Sequence, residues 1–181
     1  MRIIAGHYRG TRLHTPSGVA IRPTSDRLRE SIFNIIGPRI RGKRILDLFA
    51  GTGAMGIEAL SRGATHAIFI DNNAQSLDLI HRNIEKVSAH DRTTVIAWDA
   101  AYELACLQDH AASDIIFMDP PYNQGLIHAA LQNLVALPSC NSVIVVEHAA
   151  KDALNDLPTG LFLNDQRRYG KTLVSFLSGM L

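Results

Sequence analysis

The sequence predicts an α/β domain, a doubly wound, seven-stranded, mostly parallel sheet with one antiparallel strand, preceded by a small N-terminal β-hairpin arm. Three observations lead there. Between Arg44 and Glu147, short apolar runs alternate with helical patterns, the rhythm of crossover units over a parallel sheet covered on both faces. Four of those runs finish on or next to an aspartate, at Asp47, Asp71, Asp99 and Asp119. The last two strand-like segments, 162–164 and 173–177, are separated only by 165–172, too short for a crossover helix. They form a hairpin, which reverses one strand.

In order, residues 2–5 and 11–14 predict two short strands joined by Gly6-His7-Tyr8-Arg9-Gly10, a glycine-bounded loop whose exposed tip carries His7, Tyr8 and Arg9. Pro16-Ser17-Gly18 breaks that pattern, and residues 1–21 are expected to be a basic arm on a domain formed by 22–181. Arg22-Pro23-Thr24 leads into a helix capped by Thr24 or Ser25, with Leu28, Ile32, Phe33, Ile35 and Ile36 as its apolar face and Gly37-Pro38 as its end. Residues 37–43 copy the spacing of a phosphate-binding loop. They precede a strand instead of following one, and Arg44 stands where a metal-binding Ser or Thr is needed, so that function is excluded. Strands are then expected at 44–50, 67–71, 93–99, 114–119 and 142–147, and helices at 55–61, 74–87, 102–107 and 126–137. The helix at 74–87 has the clearest period, through Leu77, Ile80, Ile84 and Val87.

Composition narrows the class. A chain of 181 residues with 46% hydrophobic residues holds one domain with a real core. No apolar run approaches a membrane span, and the N-terminal residues do not read as a signal peptide. Cys106 and Cys140 fit no disulfide or metal framework, which points to a reducing cytoplasm, and the eight histidines show no ligand spacing, so no metal is expected. The net charge of +1 hides a division: ten Arg or Lys in residues 1–44 face only Asp26 and Glu30, leaving +8, whereas 45–181 carry −7. Nine of those ten are arginine, whose guanidinium fork suits phosphate, so the arm is expected to meet nucleic acid.

In an open parallel sheet, ligands bind beyond the carboxyl ends of the strands. Those ends here gather Asp47 and the loop Gly51-Thr52-Gly53-Ala54-Met55-Gly56, then Asp71-Asn72, Asp99-Ala100 and Asp119-Pro120-Pro121-Tyr122. The glycines let backbone approach a ligand closely, and Asp71 can accept two ribose hydroxyls. A nicotinamide oxidoreductase would share both features. Asp47 is placed to hold a cationic amino group, and Asp99 to accept from an adenine amine. Asp119-Pro120-Pro121-Tyr122 is a stiff corner with an acceptor-only carboxylate, free carbonyls and a ring, suited to a flat, amine-bearing ligand and idle in hydride transfer.

Seven strands with the last reversed is the plan of class I methyltransferases, a Rossmann-like fold, and residues 47–53, Asp71, Asp99 and 119–122 resemble their cofactor and amino-group target motifs. Arg2-Ile3-Ile4-Ala5-Gly6, Arg9-Gly10, Leu13, Arg22-Pro23-Thr24, Arg29-Glu30-Ser31-Ile32-Phe33-Asn34 and Arg168-Tyr169-Gly170-Lys171-Thr172 are similar to the bacterial small-subunit ribosomal RNA guanine-N2 methyltransferase family. The resemblance implies S-adenosyl-L-methionine as cofactor, contacted by Asp47, Phe49, Gly51, Gly53, Asp71, Asn72, Asp99 and Ala100. It implies catalysis by Asp119, Pro120 and Tyr122, with Tyr8, Arg9 and Arg22 on small-subunit ribosomal RNA beside the crevice, in an assembling ribosomal particle. The competing readings are a DNA adenine or glutamine amino-methyltransferase, the oxidoreductase, and a non-catalytic RNA-binding module. Glutamine enzymes carry Asn at the position of Asp119, and an RNA-binding module leaves four aspartate-ended strands unexplained.

Overall fold

A computed structural model describes residues 1–16, 23–110, 112–121, 125–137, 142–152, 154 and 156–179. Arg22, Tyr122 and Cys140 lie outside them. The sheet is built from β1 (Arg44–Leu48), β2 (His66–Asp71), β3 (Thr93–Ala97), β4 (Ile115–Met118), β5 (Val143–Ala149), β6 (Leu161–Tyr169) and β7 (Thr172–Gly179). Its order is β3-β2-β1-β4-β5-β7-β6. The first five strands pair in parallel, and β7 runs antiparallel to both β5 and β6. The order reverses at β1, so the crevice beyond the carboxyl ends of β1 and β4 is the switch point where such sheets bind ligands.

Side chains alternate across each strand, so the central strands feed two cores. Ile45, Phe69, Phe117 and Val145 face one layer with Phe33, Ile57, Ile80 and Ile84. Leu46, Ile68, Ile116 and Ile144 face the other with Leu104, Leu107, Leu131 and Leu134. The first layer holds α1 (Pro23–Ile36), α2 (Ala54–Ser61) and α3 (Ala74–Lys86), and the second holds α4 (Leu126–Val135). The Asn73 side chain accepts from the backbone amides of Gln75 and Ser76, capping α3. Helix α1 begins at Pro23, with Thr24 and Ser25 in its first turn. Proline has no amide to leave unpaired there and its fixed φ suits the first helical position. Leu28, Ile32, Phe33 and Ile36 are buried as expected, Ile35 only partly.

The expected helix at 102–107 is reduced to a single 3-10 turn at Ala105–Leu107. Asn133 of α4 donates to the carbonyls of Ala101 (3.1 Å) and Tyr102 (2.5 Å), and the Trp98 indole takes that of Glu103 (2.9 Å). The carbonyls that would propagate a helix are thus used from outside, and six residues are too few to nucleate one against that competition. At the other end, β6 runs through 165–169, expected to be loop, and the hairpin turns tightly at Gly170-Lys171. An edge strand exposed along most of its length has no apolar alternation to betray it.

In residues 1–16 the two expected strands reduce to one bridge, Arg2 to Arg12, flanked by bonds from the Ile3 amide to the Thr11 carbonyl (2.9 Å) and from Leu13 to Met1 (3.1 Å). Ile3 and Leu13 enter the main core at 1% and 6% exposure. The anchor is Glu58 of α2, fully buried, which accepts from the amides of Ile4 (2.7 Å) and Ala5 (3.1 Å) and from Arg62 Nε (2.7 Å). Gly6 sits at φ 82 with no room for a side chain, since a Cβ there would stand 1.9 Å from the Ser61 carbonyl oxygen.

Candidate active site

The chain leaves β1 through Phe49, a non-glycine residue at φ 58, and turns through Gly51 and Gly53 into α2. A Cβ on Gly56 would lie 2.3 Å from Phe69 Cε1, so glycine at this position lets α2 settle onto the sheet. That close approach brings the Gly56 amide to Asp47 Oδ2 at 2.9 Å. Asp47 is only 4% exposed. Burial pushes its carboxyl up to about 7, the Gly56 amide draws it down, and the nearby charge of Asp71 adds to the rise. Asp71 braces the loop from the next strand: its Oδ2 accepts from the Gly51 amide and its Oδ1 from the Asn73 amide, both at 2.8 Å.

Phe117 is the register partner of both Asp47 on β1 and Val145 on β5, so Asp119 and Glu147, each two residues on, project to the same face as Asp47. One cavity is lined by Asp47, Phe49, Gly51, Thr52, Asp119 and Glu147, and closed on its outer side by Met1 and by Leu28, Arg29 and Ile32 of α1. The carboxyl of Asp119 is pushed well up by desolvation among the packed walls, then by the charges of Glu147 and Asp47. Asp119 also opens to solvent, and water offsets part of that desolvation. Pro120 behind it is buried.

Four expected residues therefore share the cavity: Asp47, Phe49, Gly51 and Asp119. Asp71 joins them through Gly51, and Gly53 lies just behind at the start of α2. Asp99 and Ala100 lie beyond the end of β3, next to β2, outside this cavity; Asp99 accepts from the Ala101 amide (2.9 Å), and Ala100 is buried. Asn72 is exposed beside Asp71. Tyr8 and Arg9 are not beside the crevice. The amides of His7 and Tyr8 bond to Ser61 at the last turn of α2 (2.8 and 2.9 Å), seven residues from Ala54, or about 10 Å along the helix. The Tyr8 hydroxyl accepts from Arg92, whose guanidinium lies over the ring, 5.8 Å from its centroid, while Arg9 is exposed.

Sequence reasoning missed Glu147 and the roof. Glu147 ends a fifth apolar run as the aspartates end the other four, a signal that could have found it. Arg29 opens a motif of the family resemblance, but nothing local places it at this cavity; it is 3% exposed, its Nη2 donates to the Arg2 carbonyl (2.5 Å) and Asp26 (3.1 Å), and its Nε is 3.7 Å from Glu58. Burial lowers the Arg29 pKa, and Asp26 and Glu58 partly restore it. Among the described residues no group of three or more His, Cys, Asp or Glu side chains could hold a metal ion, and no helix is long and apolar enough to cross a membrane.

The family described as Conserved hypothetical protein 95 matches residues 1–178. YlbH of Bacillus subtilis is 36% identical over 178 residues, 97% of each chain. Ribosomal RNA small subunit methyltransferase D of Escherichia coli (strain K12) is 33% identical over 173 residues, covering 94% of this chain and 86% of the relative. The solved structure of yhhF from Escherichia coli superposes with a TM-score of 0.86 at 32% identity, over 99% of this chain and 97% of that one. With a Rossmann-like sheet, a carboxylate-lined crevice at its switch point and likeness along nearly its whole length, the chain belongs to the Conserved hypothetical protein 95 family, together with ribosomal RNA small subunit methyltransferase D.

Proposed function

We propose that the protein methylates the exocyclic N2 amine of a guanine in small-subunit ribosomal RNA, using S-adenosylmethionine, in the cytoplasm and within an assembling ribosomal particle. The observation that carries this reading is the meeting of Asp47 and Asp119 across one cavity, the first beside the glycine loop and the second at the proline corner. S-adenosylmethionine supplies an electrophilic methyl group on a sulfonium. The residues suit it. Asp47, buried and costly to ionise alone, matches a cationic amino group, whose arrival compensates its charge. Asp71 spends one contact on Gly51 and one on Asn73, and each carboxylate oxygen retains acceptor capacity for a ribose hydroxyl. Asp99 is left for an adenine amine.

A guanine amine is a weak nucleophile because its lone pair is delocalised into the ring. Accepting its two hydrogens at the Asp119 carboxylate and the Pro120 carbonyl draws the nitrogen toward a pyramidal geometry and frees that lone pair. Tyr122 holds the base by stacking, roughly 1–3 kcal/mol for a base on an aromatic ring. Alignment for in-line attack then supplies much of the acceleration. Asp119 acts as acceptor and orienter, and the product amine loses its proton readily. Tyr8, Arg9 and Arg22 are assigned to the RNA backbone.

Incubation with labelled S-adenosylmethionine and small-subunit RNA or particles, followed by nucleoside analysis, tests the reading. N2-methylguanosine is expected. Label in an adenine or in protein, or tight binding of NAD without binding of S-adenosylhomocysteine, overturns it.

A further inference from the structure

Asp119 and Glu147 leave neighbouring parallel strands at the same height and on the same face. Adjacent strands lie about 4.8 Å apart, so the two carboxyl groups can reach neighbouring donors on the edge of one heterocycle. Both line the cavity, over an apolar floor of Phe117 and Val145. The mechanism above uses Asp119 and leaves Glu147 without a role.

The bases that carry an exocyclic amine differ in the ring nitrogen beside it. In guanine that nitrogen, N1, bears a hydrogen, so the edge presents donors side by side. In adenine and cytosine it is a lone pair, an acceptor next to the donor amine. An ionised carboxylate only accepts. A second carboxylate beside the one that holds the amine therefore matches guanine and opposes the other two.

We propose that Glu147 accepts the N1–H of the target guanine beside the amine held by Asp119, so that the carboxylate pair selects guanine among the amine-bearing bases. This rests on the guanine-amine function proposed above and names its specificity determinant. Among the described residues, the charged groups facing Asp119 are Glu147 from β5 and Asp47 from β1, and Arg29 of α1 and Met1 line the same cavity. After desolvation, Glu147 is the first of the charges that raise Asp119, so removing its charge should ease ionisation of Asp119.

The test uses two RNAs identical except at the modified position, which carries guanine or 2-aminopurine. The analogue keeps the amine but has a lone pair at N1. The ratio of kcat/KM for the two is measured in wild type, E147Q and E147D. Any inactive fraction cancels within each ratio, and the intrinsic reactivity of the two amines cancels between variants. One base-edge contact corresponds to a preference of roughly 5- to 150-fold. E147Q, whose amide can donate to the lone pair, should move the ratio toward 2-aminopurine by about tenfold or more, and E147D should retain the wild-type direction. The acidic limb of kcat/KM should move to lower pH in E147Q. A ratio unchanged in E147Q, with both substrates slowed equally, overturns the proposal. No methylation of any guanine amine by wild type overturns the underlying function instead.

Discussion

Replacing Asp47 by Asn should make the ligand-free protein more stable at pH 8 while weakening its hold on the cofactor. The two carboxylate oxygens are enclosed, and among the described residues only the Gly56 amide offsets the lost water on one of them. In the unfolded chain the group ionises near its ordinary value of 3.8, and in the fold near 7. A raised folded value means that the associated stability is complete below pH 4 and lost as pH rises through 7. Three units at 1.36 kcal/mol each set a ceiling of about 4 kcal/mol on that loss. Asn keeps an acceptor for Gly56 and removes the charge. Melting temperatures of wild type and variant should coincide near pH 4 and separate up to pH 8, with the variant higher by several degrees at about 2–4 °C per kcal/mol.

The same substitution removes the proposed partner of the cofactor's ammonium, worth roughly 1.5–3 kcal/mol for a hydrogen bond to a charged group. Affinity for S-adenosylhomocysteine should fall by about ten- to a hundredfold. Calorimetry in two buffers of different ionisation enthalpy should show that wild type releases a proton on binding below pH 7, and that the variant does not. Parallel melting curves from pH 4 to 8 would refute the electrostatic reasoning.

Asp119→Ala should lower turnover by about a hundredfold or more while leaving S-adenosylhomocysteine affinity nearly intact, because the proposed mechanism sets Asp119 against the base. With its carboxyl raised, wild-type turnover should also fall as pH drops through that value, read from the acidic limb of the rate profile. Glu58→Ala leaves the Ile4 and Ala5 amides and Arg62 facing a void, and should cost about 3–5 kcal/mol in urea unfolding. Arg9→Ala should reduce the slope of RNA affinity against salt by about 0.7–0.9, and an unchanged slope removes Arg9 from the RNA contact.

The fold was legible wherever packing is periodic. The central strands and α3 announce themselves because both faces of the sheet are covered, which forces continuous apolar runs. The same reasoning brings Asp47 and Asp119 to one cavity, since the ends of such strands have a fixed place in the architecture. It failed where distant groups decide local structure. Asn133 dismantles the helix expected at 102–107 from thirty-odd positions away, and Glu58 decides where the N-terminal hairpin lies. Charge counting identified a basic segment but could not orient it, and its tip docks at the end of α2 opposite the crevice.

The placement of β7 between β5 and β6 has a consequence for how the chain reaches this state. In sequence order β6 comes first, yet among the described strands it pairs only with β7, a strand the ribosome makes later. Until Thr172–Gly179 emerges, β5 offers an open edge built on Ile144, Val145 and Val146, and Leu161–Tyr169 has no ladder to join. Non-local pairings of this kind form slowly, and unpaired apolar edges are the sites at which nascent chains associate. The most vulnerable interval in the protein's life is therefore the short one between synthesis of β5 and insertion of β7, when the crevice-forming strands are in place and one side of the sheet is unguarded.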